Sequence, residues 1–249
     1  MRHKYGLIKS KVDHRDFKFI RSSNIQLPLP PIFDLRPVLP QVYDQGDIGS
    51  CTCNATAAAY EYQNDRQQEG DFMPSRLFLY ANVRLLEGTP LAEDSGAQIR
   101  DVFKCLNIQG VCAETIWPYL DFTAIPSAEA YQEALLHEAI KYESISQDIN
   151  DLKMAIMIGP VVIGISVYDS FESDEVASSG IIPIPNTGSE NLLGGHAVCL
   201  CGWDDSKNCF ILRNSWGTSW GINGYAYIPY DYILDDNLTS DLWLIQQVE

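Results

Sequence analysis

The sequence predicts an α+β protein of two lobes, with helices in the first half of the chain and strands in the second. Between residues 51 and 150, apolar residues recur at helical spacing in several segments. From residue 159 onwards, the apolar segments become short and rich in β-branched and aromatic residues. A chain of 249 residues is long enough to form two lobes that share one cleft.

The first half is predicted to form a mainly helical lobe, residues 31–150. The segment CTCNATAAAYEYQNDRQQ follows Ser50, a residue type favoured at helix N-caps, so we expect a helix that begins near Ser50 and ends at Gly70. SRLFLYANVRLLEG and AQIRDVFKCLNIQG have the apolar spacing of helices. EAYQEALLHEAIKYESI is predicted to be one further helix.

The second half is predicted to form a mainly β lobe, residues 151–249. Its strand-like segments are, in order, GPVVIGISVY, HAVCLCGWD, NCFILRNSW, GYAYIPY and DLWLIQQV. A block of helices followed by a block of strands is typical of α+β folds.

The chain is acidic, with a formal net charge of −16, but its first 25 residues are basic, with seven Lys or Arg and two Asp side chains. The overall charge argues against nucleic acid as a partner, since phosphate binding requires clustered cations. Five prolines in residues 26–40 separate this basic extension, residues 1–30, from the body. The extension is either a solvated tail or a segment that lies against the acidic body in cis.

The sequence carries no pattern for membrane insertion or classical secretion. The N-terminus lacks the apolar core of a signal peptide, and no apolar run reaches the length of a membrane span, about 18 residues. Seven cysteines, an odd number, do not resemble a secreted disulfide scaffold, so we expect most of them to be reduced. These features favour a cytoplasmic protein, or one exported without a classical signal peptide.

Three residues together suggest nucleophilic chemistry. Cys51, at the start of a predicted helix, lies at the positive end of the helix dipole, which favours a thiolate. His196 follows two glycines at a strand start, a position that can face a cleft, although a buried structural histidine fits the same pattern. Asn214, in the loop NSWGTSWGINGY, can accept a hydrogen bond from one imidazole nitrogen and leave the other for the thiol.

Six motifs occur in a fixed order along the chain: FDLRP, QGDIGSC, LNIQGVCAETIWPY, GPVVIGISV, GGHAVCLCGWDD and FILRNSWGTSWGINGYAYI. Together they resemble the papain family of cysteine peptidases over residues 33–230. His196 and Asn214 lie 145 and 163 residues after Cys51, against the spacing of about 130–150 known for the family. The resemblance implies a papain-like fold, in which a helical lobe and a β-barrel-like lobe enclose the active site in the cleft between them.

The resemblance also implies a role for each site residue. Cys51 is the nucleophile that forms a thioester, His196 is its ion-pair partner and protonates the leaving amine, and Asn214 orients the imidazole. Gln45 donates its side-chain amide to the oxyanion. The predicted function is therefore that of a cysteine endopeptidase acting on a peptide or protein substrate.

The substrate-binding set is predicted to contain Ser95, Gly96, Gly195 and Trp216. Ser95 and Gly96 are expected to present backbone groups to an extended peptide, and Trp216 to shield the asparagine–histidine hydrogen bond from water. We hypothesise that residues 1–30 are a short pro-segment that crosses the cleft and inhibits in cis. We expect a monomer that requires no metal or cofactor.

Two positions depart from the family pattern. Ile48 stands where a cysteine normally forms a disulfide of the helical lobe, and Thr52 replaces an aromatic residue after the nucleophile. Three alternatives stay open: an acyl or peptidyl transferase with the same site, a non-catalytic peptide-binding homologue, and a metal site built from the two C-x-C pairs. The spacing of those pairs is poor for zinc, which prefers two to four residues between ligands.

Overall fold

The structure, a computed structural model, describes residues 3–20 and 28–249. Within these residues the helices are α1 (Cys51–Gln67), α2 (Arg76–Leu86), α3 (Ile99–Ile108), α4 (Ala128–Ala134), α5 (Ile149–Ile156), α6 (Asp174–Ser179) and α7 (Tyr230–Leu234). The strands are β1 (Ile32–Asp34), β2 (Ala139–Ser144), β3 (Val161–Tyr168), β4 (Leu192–Asp204), β5 (Cys209–Arg213), β6 (Tyr225–Pro229) and β7 (Thr239–Val248). No helix in the described ranges is both long enough and apolar enough to cross a bilayer.

The strands form one antiparallel sheet, seven-stranded in the part of the chain that the structure describes. Their spatial order is β2–β7–β3–β4–β5–β6, and β1 pairs with β4. Strand β4 is the longest and pairs with both β3 and β5, so side chains from three neighbouring strands meet around it. His196 lies in the part of β4 that pairs with β3, opposite Ile165.

Helix α1 joins the two lobes. It packs against α2 and α3 on one side and against β4 and β7 on the other. Its residues are buried from Cys51 to Tyr60, and the three consecutive alanines Ala57–Ala59 let neighbouring elements approach closely. One apolar core lies around α1, α2 and α3, and a second lies on the sheet between α5 and the loops after β5. The predicted two-lobe α+β fold is confirmed, and the first residue of α1 lies where the lobes meet.

The fourth predicted helix is wrong in its second half. Helix α4 ends at Ala134, and Ala139–Ser144 forms strand β2, which pairs with β7. The helical spacing of these residues is outweighed by the backbone hydrogen bonds that the edge of β7 offers. Ser50 does precede α1, but its hydroxyl contacts Tyr119 Oη at 2.6 Å and Asn54 Nδ2 at 2.9 Å and does not cap the helix.

The basic extension lies on the body in two parts, which we call the front anchor (residues 3–8) and the rear anchor (residues 10–19). The front anchor crosses the cleft between the lobes and is described with the site below. In the rear anchor, the contacts with the body include Ser10 N to the Asp241 carboxylate (3.1 Å), Arg100 to Asp16 (2.8 Å), Phe19 N to Ser144 O (2.9 Å) and Ser144 N to Phe17 O (2.8 Å). Met1, Arg2 and residues 21–27 of the extension lie outside the described residues.

Candidate active site

Cys51 is the first residue of α1 and is completely buried. Its thiol lies beside the backbone of Ala197, the residue that follows His196 in β4, and beside the backbone of Gly6 in the front anchor. The thiol is therefore held between the N-terminus of a helix from one lobe and a strand from the other.

His196 and Asn214 are hydrogen-bonded to each other. The pairing of β4 with β5 brings the two residues together, because Asn214 directly follows the end of β5. His196 Nε2 lies 2.8 Å from Asn214 Oδ1, and the same oxygen accepts from the backbone N–H of Ser215 at 2.8 Å. The other ring nitrogen of His196, Nδ1, is buried without a hydrogen-bond partner among the described residues. Asn214 thus engages one ring nitrogen and leaves Nδ1 for proton exchange.

The side chain of Gln45 is fixed from both ends. Its Oε1 accepts from the Ser215 hydroxyl at 2.7 Å, while its Nε2 donates to Ile48 O at 2.9 Å and to Lys4 O at 3.3 Å. The Gln45 backbone N–H also donates to Ser215 O at 2.8 Å. The amide therefore presents a donor to the cleft, and a carbonyl of the front anchor already occupies it.

Trp216 stacks on His196, with ring centroids 4.8 Å apart and an angle of 23° between the planes. Phe171 and Trp220 meet the indole edge-on and hold it in place. The other stacking partner of Trp216 is His3 of the front anchor, whose ring is nearly parallel to the indole at 3.7 Å. The indole therefore covers the imidazole on one side and binds the N-terminal segment.

The front anchor fills the cleft. Leu7 N donates to Gly195 O at 3.1 Å in the β lobe. Ala97, from the helical lobe, donates its N–H to Gly6 O at 2.8 Å and accepts from Ile8 N at 3.0 Å. The segment consequently bridges both walls of the cleft by backbone hydrogen bonds, the way in which extended peptides add to exposed backbone edges.

The fit around Gly6 leaves no space for a side chain. A Cβ atom built on Gly6 would lie 1.7 Å from Gly49 O, and one built on Gly96 would lie 2.2 Å from Gly6 O. Gly96 also has a φ of +74°, a conformation that favours glycine. The front anchor therefore lies against Gly49 and Gly96 at the position of the thiol.

In this closed arrangement neither catalytic candidate is charged. Burial raises the pKa of the Cys51 thiol, although backbone hydrogen bonds from Ala197 and Gly6 partly oppose the shift. Burial lowers the pKa of His196 to about 4, although its hydrogen bond to Asn214 Oδ1 opposes the shift. A helix N-terminus favours a thiolate, as the sequence suggests, but burial of the Cys51 thiol acts in the opposite direction and outweighs it.

The chain's family follows from this cleft and from one comparison. A model of the papain family of cysteine proteases matches residues 29–235, which is most of the chain. The chain belongs to the papain family of cysteine proteases. The match includes every residue of the site described above except those of the front anchor.

Relatives of this papain-family chain are found among viral, bacterial and animal proteins. A peptidase C1-like protein, L477, of Acanthamoeba polyphaga mimivirus is 43% identical over 98% of this chain and 87% of its own length. The crystal structure of xylellain, a cysteine protease from Xylella fastidiosa, has a TM-score of 0.92 and 40% identity, over 100% of this chain and 99% of that chain. Cathepsin K of Gallus gallus is 30% identical over 75% of this chain and 54% of its own length.

The predicted substrate-binding residues take different positions in this papain-family cleft. Gly195 and Trp216 both contact the front anchor, and Gly96 packs against it. The Ser95 hydroxyl instead contacts Thr89 Oγ1 and Gly96 O within its own loop. The backbone groups that pair with the extended segment belong to Ala97, which sequence reasoning missed by one residue. Every residue type has these backbone groups, so only the position of Ala97 in the loop could have indicated its role.

All seven cysteines are free thiols. Cys53 is buried in the helical core, and Ile48 packs against the same core in place of the family's cysteine. The C-x-C pairs lie in α1 and in β4. Across the described ranges, no group of three His, Cys, Asp or Glu side chains is arranged to hold a metal ion.

Proposed function

We propose that the chain is a cysteine endopeptidase in which Cys51, His196, Asn214 and Gln45 form the catalytic site. The observation that carries the proposal is the hydrogen bond of 2.8 Å between His196 Nε2 and Asn214 Oδ1, next to a cysteine at a helix N-terminus. It sets the ring plane and leaves the opposite nitrogen for the thiol, which is the arrangement that nucleophilic catalysis by cysteine requires.

In the proposed reaction, His196 takes the proton of the thiol through Nδ1, and the Cys51 thiolate attacks the carbonyl carbon of the substrate. The negative oxygen that develops accepts from Gln45 Nε2 and from the Cys51 backbone N–H. His196 then protonates the leaving amine as the C–N bond breaks, and a thioester remains. A water, deprotonated by His196, attacks the carbonyl carbon of the thioester. The C–S bond breaks, the acid product leaves, and the Cys51 sulfur takes the proton back from His196.

The extension of residues 1–30 is proposed to keep this site closed in cis. Support comes from Lys4 O, which occupies the Gln45 donor, and from Gly6, which lies against the Cys51 thiol. The backbone groups of Ala97 and Gly195 are also engaged by the front anchor. A substrate can reach these groups only after the front anchor leaves.

Opening of the cleft is tested by Gly6→Val in the full chain. Because a side chain at this position would collide with Gly49 O, we expect the front anchor to be displaced and peptide hydrolysis to rise at least about tenfold. Val12→Ala, at a position in the same segment that is 85% exposed, is the control and should leave the rate unchanged. Equal activity of native protein and Gly6→Val would contradict closure in cis.

The chemistry is tested in the opened Gly6→Val chain. Cys51→Ala should abolish hydrolysis, and Gln45→Glu, which keeps an acceptor for Ser215 but loses the oxyanion donor, should lower kcat by about 10²–10³-fold. Cys209→Ala removes a partly exposed thiol outside the cleft and should have no effect. Product masses should correspond to peptide fragments with one added water. Activity that survives in Cys51→Ala would rule out the proposed nucleophile.

A further inference from the structure

Asp94 is a nearly buried carboxylate in the wall of the cleft. Its side chain is only 6% exposed. The body supplies two donors to it: the backbone N–H of Gly49, at 3.1 and 3.0 Å from the two oxygens, and the hydroxyl of Tyr80, at 2.5 Å. Gly49 is two residues before Cys51, so the carboxylate lies close to the nucleophile.

The same network links Asp94 to the loop that pairs with extended peptides. The Tyr80 hydroxyl accepts from the backbone N–H of Gly96 at 3.0 Å while it donates to Asp94. Gly96 precedes Ala97, whose backbone pairs with the front anchor. The donors come entirely from the body, and therefore the carboxylate is held in place independently of the segment that fills the cleft.

A cation of the front anchor completes the set of partners. Lys4 Nζ lies 2.5 Å from Asp94 Oδ2, and its side chain is still 48% exposed. Burial raises the pKa of Asp94, but the hydrogen bonds from Lys4, Tyr80 and Gly49 outweigh burial, and the pKa falls below its ordinary value. The carboxylate is thus charged at neutral pH, and Lys4 of the front anchor reaches its Oδ2 from the cleft.

The residue that reaches Asp94 is also the residue whose carbonyl reaches the oxyanion donor. Lys4 O accepts from Gln45 Nε2 at 3.3 Å, while the Lys4 ammonium pairs with Asp94. A single residue therefore spans from the Gln45 amide to the carboxylate. In a substrate, the residue with its carbonyl at Gln45 is the one that donates the acyl group to Cys51.

We propose that Asp94 is a specificity-determining residue, which selects substrates with Lys or Arg at the acyl-donating position. This inference rests on the proposed peptidase function and names the substrate class of that site. A neutral side chain at this position would leave a buried carboxylate without its cation, which disfavours the complex. An acidic side chain would add repulsion between like charges.

The test uses the full chain and three peptidyl vinyl sulfones that differ only at the residue bearing the electrophile: lysine, norleucine or glutamate. Addition of the Cys51 thiolate to the vinyl carbon, followed by protonation of the adjacent carbon, forms a stable thioether that is measured by intact mass. Because the front anchor must open for each probe, its contribution cancels in the ratio of labelling rates. We expect lysine to exceed norleucine on the order of tenfold, and glutamate to be slowest.

Asp94→Asn keeps the acceptor for Gly49 and removes the charge. The lysine to norleucine ratio should fall to about one in this variant, while Glu93→Gln, the same change at the exposed neighbouring residue, should keep the native ratio. Equal rates for lysine and norleucine in the native chain, or a preference that persists in Asp94→Asn, would overturn the inference alone. A Cys51 that no probe labels would overturn the proposed function and the inference with it.

A second measurement does not depend on Asp94 variants. Lys4→Met removes the cation that occupies the subsite, so both the lysine and the norleucine probe should label Cys51 several-fold faster than in the native chain. Lys11→Met, at an exposed position of the same segment, should leave both rates unchanged. If Lys4→Met also leaves them unchanged, Asp94 does not hold the segment by its cation, and the inference fails.

Discussion

At the scale of single residues, burial disfavours the charged forms of both Cys51 and His196. Both groups are buried, and burial acts in opposite directions on an acid and a base: it raises the pKa of Cys51 and lowers that of His196 to about 4. Because the front anchor lies against the thiol, we expect Cys51 to become reactive only when the cleft opens.

The pH dependence of Cys51 alkylation follows from these pKa directions. In the native chain, iodoacetamide should modify Cys51 slowly and only at alkaline pH, because the thiolate is rare below the raised pKa. In Gly6→Val, water reaches the pair, the thiolate forms beside protonated His196, and alkylation should be fast at about pH 6–7. Rates are measured by peptide mass mapping. Identical pH profiles for the two proteins would contradict the role of the front anchor.

At the scale of elements, α1 carries an acid–phenol contact in addition to Cys51, the proposed nucleophile. Tyr43, in the segment before Gln45, donates its hydroxyl to Glu61 on α1. Burial raises the pKa of Glu61 to about 7, although the Tyr43 hydrogen bond opposes the shift. The contact joins the segment that contains Gln45 to the middle of the helix. Protonation of Glu61 is expected to affect the stability of the fold near neutral pH.

The sign of this effect is testable with Glu61→Gln. A carboxyl with a pKa near 7 when folded and 4.5 when unfolded stabilises the fold fully below 4.5, and this contribution is lost as the pH rises through 7. Glu61→Gln should therefore raise the free energy of unfolding at about pH 8 by on the order of 2 kcal/mol and change it little at about pH 5. Urea titrations at both pH values measure it. Glu69→Gln, exposed after the same helix, is the control.

At the scale of the whole molecule, the rear anchor ties the N-terminal extension to the body outside the cleft. Its ion pair between Asp16 and Arg100 is mostly buried, with each side chain 11% exposed. The Asp13–Arg15 pair, by contrast, lies within the segment itself and leaves Arg15 almost fully exposed. Only the first of these pairs ties the segment to the body.

Removal of Asp16 should therefore open the front anchor indirectly. We expect Asp16→Ala to raise peptide hydrolysis by a few-fold, less than Gly6→Val, because hydrogen bonds to charged groups contribute about 1.5–3 kcal/mol and the front anchor keeps its own contacts. Faster hydrogen exchange of residues 3–8 should accompany the change. Asp13→Ala should alter neither. An equal effect of both substitutions would place the cause in the charge of the segment, not in its anchoring.

The sequence predicts those parts of the site that depend on a particular residue type. Cys51, His196 and Asn214 are identifiable because nucleophilic chemistry restricts the side chains and the motifs around them are ordered along the chain. Ala97 acts through its backbone and leaves no such signature. The contact between Asp94 and Lys4 depends on the path of a chain segment that lies 90 residues earlier in the sequence. Local sequence patterns do not encode that path. The strand Ala139–Ser144 was missed for the same reason, since its hydrogen-bond partners on β7 lie about 100 residues further along.

The covalent continuity of the front anchor with the body has a consequence for how the closed state responds to its surroundings. A separate inhibitor dissociates on dilution, but a tethered segment keeps a constant local concentration, typically in the millimolar range. The fraction of closed molecules is therefore independent of how much protein is present. A competing peptide must exceed that local concentration or bind far more tightly, whereas a single cut in the segment between the two anchors would convert the closed state into one that dilution can open.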